Sequence, residues 1–261
     1  MAQVFGDVSV DVAEDFVATV ELHRPPNNHF DVALIRSLAD ALDALDADSA
    51  CRAAVLCSEG KHFCAGADFG NRSLEDNIGG GRQGGHIYEE ALRLFSAKTP
   101  VVAAVQGAAV GGGLGLALAA DFRVTCPEAR FTANFARLGF HQGFGLSVTL
   151  PAAVGQQRAL ELLYTGRRVT GDEAFRIGLC DRIVPLESLR QEAHALAAEI
   201  AASAPLAVRS IRETMRGDLA GRIRIATERE RAEQERLYLT DDFKEGVRAT
   251  AERRPPRFTG S

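Results

Sequence analysis

VVAAVQGAAVGGGLGLALAADFR, from Val101 to Arg123, joins a β-branched apolar run to an alanine-rich segment through three consecutive glycines. The run Val101–Val105 predicts a buried strand, Gln106 and Gly107 a turn, and Leu114–Ala120 an apolar helix. Glycine disfavours helix, so three at a helix start imply close approach of something to the backbone. The first amides of a helix have no partner within it and sit at the positive end of its dipole, where an acceptor gaining negative charge is stabilised. Two readings stand side by side: an oxyanion site, or glycines that let a helix pack tightly on a sheet.

Upstream, GKHFCAGADF (Gly60–Phe69) forms a second loop of small residues leaving a short strand, Ala53–Cys57. Each loop can present a backbone N–H in a tight turn. Two such donors aimed at one point would hold an enolate or tetrahedral oxyanion, and one donor is worth about 2.7–4 kcal/mol in a transition state. Further upstream, Val8–Val12 and Phe16–Leu22 predict a hairpin. The prolines and asparagines of HRPPNNHF force a loop, after which Asp31 caps a helix with apolar Leu34, Ile35, Leu38, Leu42 and Leu45. Asn71–Gly85, polar and glycine-rich, is expected to be a mobile flap over a site. A helix over Gly85–Ala97 carries His86, Tyr88, Glu89 and Glu90, which read as a solvated face.

Downstream, Phe122–Cys126 and Arg130–Thr132 predict two more strands. LGFHQGFGLSVTL is another glycine-punctuated loop, running into a helix that ends at Val154. From Gln156 nearly everything is expected to be helical, so the composition shift near Gly155 marks a strand-containing core followed by a helical region. Strand, strand, helix recurs about three times in the first part, which implies stacked turns instead of a simple alternating sheet.

The 261 residues suffice for one sizeable core, and a net charge of −5 argues against a protein that coats nucleic acid. Arginines of the last third alternate with glutamates at helical spacing and read as solvated helix faces. Five scattered cysteines without CxxC spacing indicate neither a disulfide framework nor a metal cluster, and Cys64 reads as a small buried apolar residue. The N-terminus lacks a signal-peptide pattern and no apolar run reaches membrane-spanning length, so a cytoplasmic protein with no membrane association is expected.

FCAGADF followed about forty residues later by QGAAVGGGLGLALAADFRV is similar to the signature of the crotonase superfamily, the enoyl-CoA hydratase/isomerase family. RPPNN, GLCDRIVP (Gly178–Pro185) and TDDFKEGVRATAERRPPRF extend the resemblance over nearly the whole chain. It implies an α/β fold: a spiral of ββα turns over residues 1–200 and a helical trimerisation region over residues 201–261, assembling as a homotrimer or a hexamer of paired trimers. The implied substrate is a coenzyme A thioester, with no permanently bound cofactor and no metal. The amides of Ala67 and Gly112 match the family's two oxyanion positions, and Ala65, Asp68 and Phe69 match the loop that wraps the coenzyme.

The departures are informative. Family hydratases carry one glutamate two residues past the last of the three glycines, where this chain has Gly115. Their second glutamate aligns with Phe135. Neither residue can move a proton, so two-glutamate water addition is not expected. The aspartate nucleophile of the aryl-CoA dehalogenase branch aligns with Gly143, which removes that chemistry too. His141, in the same loop, is the candidate acid/base, while Asp68 is expected to fix its loop. A short-chain dehydrogenase reading of Gly107, Gly111 and Gly113 fails because Tyr88, Tyr164 and Tyr238 are followed four positions on by Leu92, Arg168 and Asp242, not lysine. Ser147 lacks the final glycine of a hydrolase elbow. An enzyme on acyl-CoA thioesters, acting as a lyase or isomerase, and an inactive acyl-CoA-binding homologue both fit the residues.

Overall fold

A computed structural model of the chain describes residues 2–79 and 85–261. It begins with β1 (Gln3–Phe5), β2 (Val8–Val12) and β3 (Val17–Leu22), an antiparallel meander that contains the expected hairpin. The Asp31 side chain then accepts from the Leu34 amide and caps α1 (Val32–Ala47), whose inward row is Leu34, Ile35, Leu38, Leu42 and Leu45. Next come β4 (Ala53–Ser58), α2 (Leu74–Ile78) and α3 (Ile87–Ser96). Helix α2 is closed by a capping box between Ser73 and Asp76. It lies within the stretch expected to be a flap; residues 80–84 of that stretch lie outside the described residues.

The glycine-rich stretch supplies β5 (Val101–Val105), β6 (Ala108–Val110) and α4 (Gly112–Ala119). Then follow β7 (Phe122–Thr125), β8 (Arg130–Thr132), a 3₁₀ turn at Asn134–Leu138, α5 (Leu146–Val154) and α6 (Gln156–Thr165). The remainder is β9 (Arg168–Thr170), α7 (Gly171–Arg176), β10 (Arg182–Ile183), α8 (Leu189–Ala201), α9 (Pro205–Arg216), α10 (Leu219–Leu237) and α11 (Asp241–Ala251).

The strands form a seven-stranded sheet, β1-β2-β3-β4-β5-β7-β10, and a three-stranded sheet, β6-β8-β9. From β3 to β10 the large sheet is parallel. Successive turns feed both sheets: β5 passes to β6 and β7 to β8, while Cys64, beyond β4, makes a lone parallel bridge to Ala109 beside the small sheet. This is the expected stack of strand, strand, helix turns. The expected boundary near Gly155 is corrected: β9 and β10 return to the sheets, and α8 covers the outer face of the large sheet. Ala193, Ala197 and Ala201 of α8, four residues apart, meet Val55, Val102 and Val124 in a thin apolar layer. The larger core fills the other face, under α1, α3 and α4.

Helix α9 buries none of its residues and exposes Leu206, Ile211 and Met215. It is tied down instead by Arg212 and Arg216, whose Nε atoms both donate to Asp121 at 2.9 Å. Helix α10 turns back across α3 and α5. Its buried residues, Ile223, Thr227, Glu230 and Gln234, form one stripe, which brings side chains from the end of the chain to the glycine-rich loops.

Candidate active site

The two loops are locked together. The Cys64 amide donates to the Ala108 carbonyl at 2.9 Å, and the Val110 amide donates back to the Cys64 carbonyl at 3.0 Å. Side chains hold the first loop from beneath: Asn28 Nδ2 donates to the Glu59 and His62 carbonyls, and Gln106 Nε2 to the Ser58 carbonyl. The packing reading of the three glycines is visible in the geometry. A Cβ on Gly113 would lie 2.1 Å from the Cys64 carbonyl oxygen, and one on Gly112 would lie 2.2 Å from the Phe30 ring, so the helix start must be bare to pack. Gly111, at φ +56°, makes the turn that a side chain would oppose.

The same packing aims two amides. The Gly66 carbonyl accepts from Phe30 N at 3.2 Å. In a trans peptide the following N–H points the opposite way, so the Ala67 amide faces away from Phe30 N. The Gly111 carbonyl accepts from the Leu114 and Gly115 amides inside α4, which turns the Gly112 N–H outward from the helix N-terminus. Neither amide has an acceptor among the described residues. Ala67 and Gly112 line one narrow cavity of about 60 Å³, and Ala65 and Phe69 line it with them.

The other expected site residues sit differently. Asp68 is not among the lining residues; its carboxylate binds Asn71 N at 3.2 Å and Asn71 Nδ2 at 3.0 Å, and Asn77 Oδ1 accepts from its amide at 3.0 Å. Burial raises the Asp68 pKa, but the Asn71 hydrogen bond and His29 outweigh it and hold the group below the usual carboxylate range. His141 does not line the cavity either. Its Nδ1 lies 2.8 Å from the Gln142 carbonyl, on the side of the loop that faces α10. What His141 offers the site is its backbone carbonyl, which accepts from Gln234 Nε2 at 2.9 Å.

Seven of the nineteen described lining residues are aromatic. Phe135 packs on Phe140 at 5.3 Å between centroids, Phe140 on Phe69 at 5.5 Å, and Phe144 on Phe30 at 5.6 Å. Phe144 adopts φ +59°, a conformation rare for a bulky side chain, and is 1% exposed. Its ring fills the space beside Gly115: a Cβ there would lie 2.8 Å from Phe144 Cβ. The Gly143–Gly145 segment is held by buried Glu230, whose carboxylate accepts from Gly145 N at 2.9 Å and Ser147 N at 3.0 Å. Burial pushes the Glu230 pKa up, with the Ser147 and Gly145 bonds opposing it only in part.

Polar side chains interrupt the wall at Asn134 and at a cluster of three. Tyr88, Gln234 and Tyr238 all line the cavity, and both tyrosine hydroxyls donate to Gln234 Oε1, at 2.7 and 3.2 Å. These two are the titratable side chains among the described lining residues, and burial raises both phenol pKa values. Sequence reasoning placed Tyr88 on a solvated face and passed over Gln234 and Glu230. The signal available was the spacing of Ile223, Thr227, Glu230 and Gln234, one buried stripe in an otherwise charged helix.

The spiral of strand, strand, helix turns is shared with solved enoyl-CoA hydratase/isomerase structures, and the comparisons with known proteins give the family. The family model for enoyl-CoA hydratase/isomerase matches residues 13–261. The chain is 39% identical over 257 residues to a putative enoyl-CoA hydratase of Thermus thermophilus, covering 95% of this chain and 100% of that protein. It is 34% identical over 250 residues to a crotonyl-CoA hydratase of Syntrophomonas wolfei, covering 94% and 95%. A crystal structure of an enoyl-CoA hydratase/isomerase from Pseudoalteromonas atlantica superimposes with a TM-score of 0.86 at 30% identity, covering 97% and 100%. The chain belongs to the enoyl-CoA hydratase/isomerase family, whose substrates are coenzyme A thioesters.

Proposed function

We propose that this protein is an acyl-CoA thioester-processing enzyme that holds the thioester oxygen between the Ala67 and Gly112 amides and stabilises an enolate there. The observation that carries this reading is a pair of amides, both lining one cavity, that have no acceptor among the described residues. Each would strengthen its hydrogen bond as charge grows on the oxygen, the condition for lowering a barrier as well as binding substrate. Ala65 and Phe69, flanking the first amide, would carry the coenzyme past the loop, with Asp68 keeping that loop in shape. The space is that of a few water molecules, which suits a small or flat acyl group.

Two-carboxylate water addition is not the route. Gly115 and Phe135 replace both carboxylates, and Phe144 fills the space beside Gly115. Proton movement then falls to a group other than a glutamate; His141 would have to swing across its loop to take part. A second reading, an acyl-CoA-binding homologue without turnover, is favoured by the absence of carboxylate and imidazole groups among the described lining residues.

Calorimetric binding of acyl-CoA thioesters, of their thioether analogues lacking the carbonyl, and turnover of an enoyl-CoA panel followed by mass spectrometry separate these readings. The thioester should bind more tightly than its thioether, and at least one panel member should be converted. Binding without conversion supports the inactive homologue, and absence of affinity for any coenzyme A thioester overturns both. For assembly, we propose a trimer or hexamer using exposed α9; a light-scattering mass of a single 28.0 kDa chain would contradict it.

A further inference from the structure

The hydrogen bonds around Gln234 fix what the polar wall of the cavity can recognise. The His141 carbonyl can only accept, so the Gln234 atom 2.9 Å from it is the amide nitrogen, and the other end of the amide is the oxygen. That oxygen can only accept, so Tyr88 and Tyr238 each donate their one hydroxyl proton to it. With both protons committed, the phenol oxygens have lone pairs to offer and no donor, the Tyr88 oxygen also facing the Phe144 amide. Burial keeps both phenols protonated, and the nearby Glu230 and Glu235 charges act in the same direction on Tyr88 and Tyr238 respectively. A Cβ on Gly143 would lie 1.9 Å from Tyr88 Oη and 2.6 Å from Gln234 Nε2, so bare backbone lets this cluster close against the loop.

We infer that Tyr88, Gln234 and Tyr238 form a specificity site for an acyl group that carries its own hydroxyl, alcoholic or phenolic, donated to the tyrosine oxygens. This rests on the acyl-CoA reading of the same cavity. The aromatic walls take the apolar part of the acyl group, and the neutral acceptor pair takes the O–H. A carboxylate or phenolate at that end is disfavoured, because it would meet lone pairs in a buried setting with no cation among the described lining residues. Gln234 is the positioning residue: it spends the tyrosine protons and so sets the polarity of the site.

The test uses matched thioesters that differ by one hydroxyl: para-hydroxybenzoyl-CoA against benzoyl-CoA, and ω-hydroxyhexanoyl-CoA against hexanoyl-CoA, titrated calorimetrically into the full chain. One neutral hydrogen bond predicts that the hydroxylated member of at least one pair binds about two- to tenfold more tightly. Tyr88→Phe and Tyr238→Phe keep the rings and should lower that ratio, which is read within each variant between its own two matched ligands. Equal binding of both members in both pairs overturns the inference, as does a preference unchanged in both variants. Failure of every coenzyme A thioester to bind is a different result, and removes the acyl-CoA reading on which the inference stands.

Discussion

Restoring a glutamate at Gly115 should not restore a hydratase, and the reason lies in Phe144. An ideal Cβ at Gly115 sits 2.8 Å from Phe144 Cβ, 2.9 Å from Cδ1 and 3.1 Å from Cγ. Carbon atoms in optimal contact are about 3.5–4.0 Å apart, so Phe144 must retreat. The nearest atom is its Cβ, and the backbone that carries it is held: Phe144 is 1% exposed, packs on Phe30 and Phe95, and is followed by Gly145, whose amide is bound to Glu230. Overpacking of this kind costs about 1–3 kcal/mol, against which the better helix propensity of a non-glycine residue returns about 0.5–1 kcal/mol. A carboxylate without a cation in an aromatic wall adds several kcal/mol more. Gly115→Glu should therefore lose at least about 4 kcal/mol in urea denaturation. For a chain near this size that lowers Tm by roughly 8 °C or more. Gly115→Glu combined with Phe144→Ala should cost less than the sum of the single changes, by about 1 kcal/mol or more, and neither variant should gain hydration of crotonyl-CoA. A stable Gly115→Glu protein, or strict additivity with Phe144→Ala, would refute the claim that the ring occupies the place of the missing carboxylate.

Three further outcomes follow from the structure. His86 is buried at the start of α3, where its Nδ1 accepts from the Tyr88 amide at 3.2 Å, and burial lowers its pKa to about 4. A depressed histidine stabilises the fold above its unfolded value and loses that contribution as pH falls toward the folded one. Stability should therefore fall between about pH 6.5 and 4 more steeply than in His86→Asn, measured by urea midpoints across that range. Asp121 anchors α9 through Arg212, Arg216 and the Val101 amide, so Asp121→Ala leaves two mostly buried guanidiniums unpaired and should cost about 3–5 kcal/mol. A urea-derived loss below about 1 kcal/mol would discard this anchor. All five cysteines are buried, and burial raises their thiol pKa values, that of Cys57 to about 12 and that of Cys51 to about 11. None should react with Ellman's reagent in the native protein at mildly alkaline pH, and all five should react in denaturant.

Much of this was legible in the sequence, for reasons that also mark where legibility stops. The buried strand Val101–Val105 and the capped helix after Asp31 carry strong local signals, apolar runs and an N-cap, and both appear as read. Two loops of small residues leaving neighbouring strands were legible as a pair, but the choice of Ala67 and Gly112 within them rests on the family resemblance. Strand β6 escaped because three residues, Ala108–Val110, show no period, and β9 because Val169 alone of its three residues is buried. Tyr88 looked solvated beside Glu89 and Glu90, and its partner Gln234 lies 146 residues away on a helix crowded with charge. No local pattern reports a hydrogen bond of that reach. His141 was singled out for a titrating ring; that ring is not among the described lining residues, while its carbonyl, a group every residue type possesses, accepts from Gln234.

The central claim is that the Ala67 and Gly112 amides polarise a thioester carbonyl, and infrared difference spectroscopy of a bound acyl-CoA isotopically labelled at that carbonyl tests it without requiring turnover. Two amide donors on one oxygen weaken the C=O bond. The account predicts that the labelled stretch moves to lower frequency on binding, relative to the same thioester in water. A bound thioester whose carbonyl stretch stays at its aqueous frequency, or moves higher as in an apolar pocket, would contradict it.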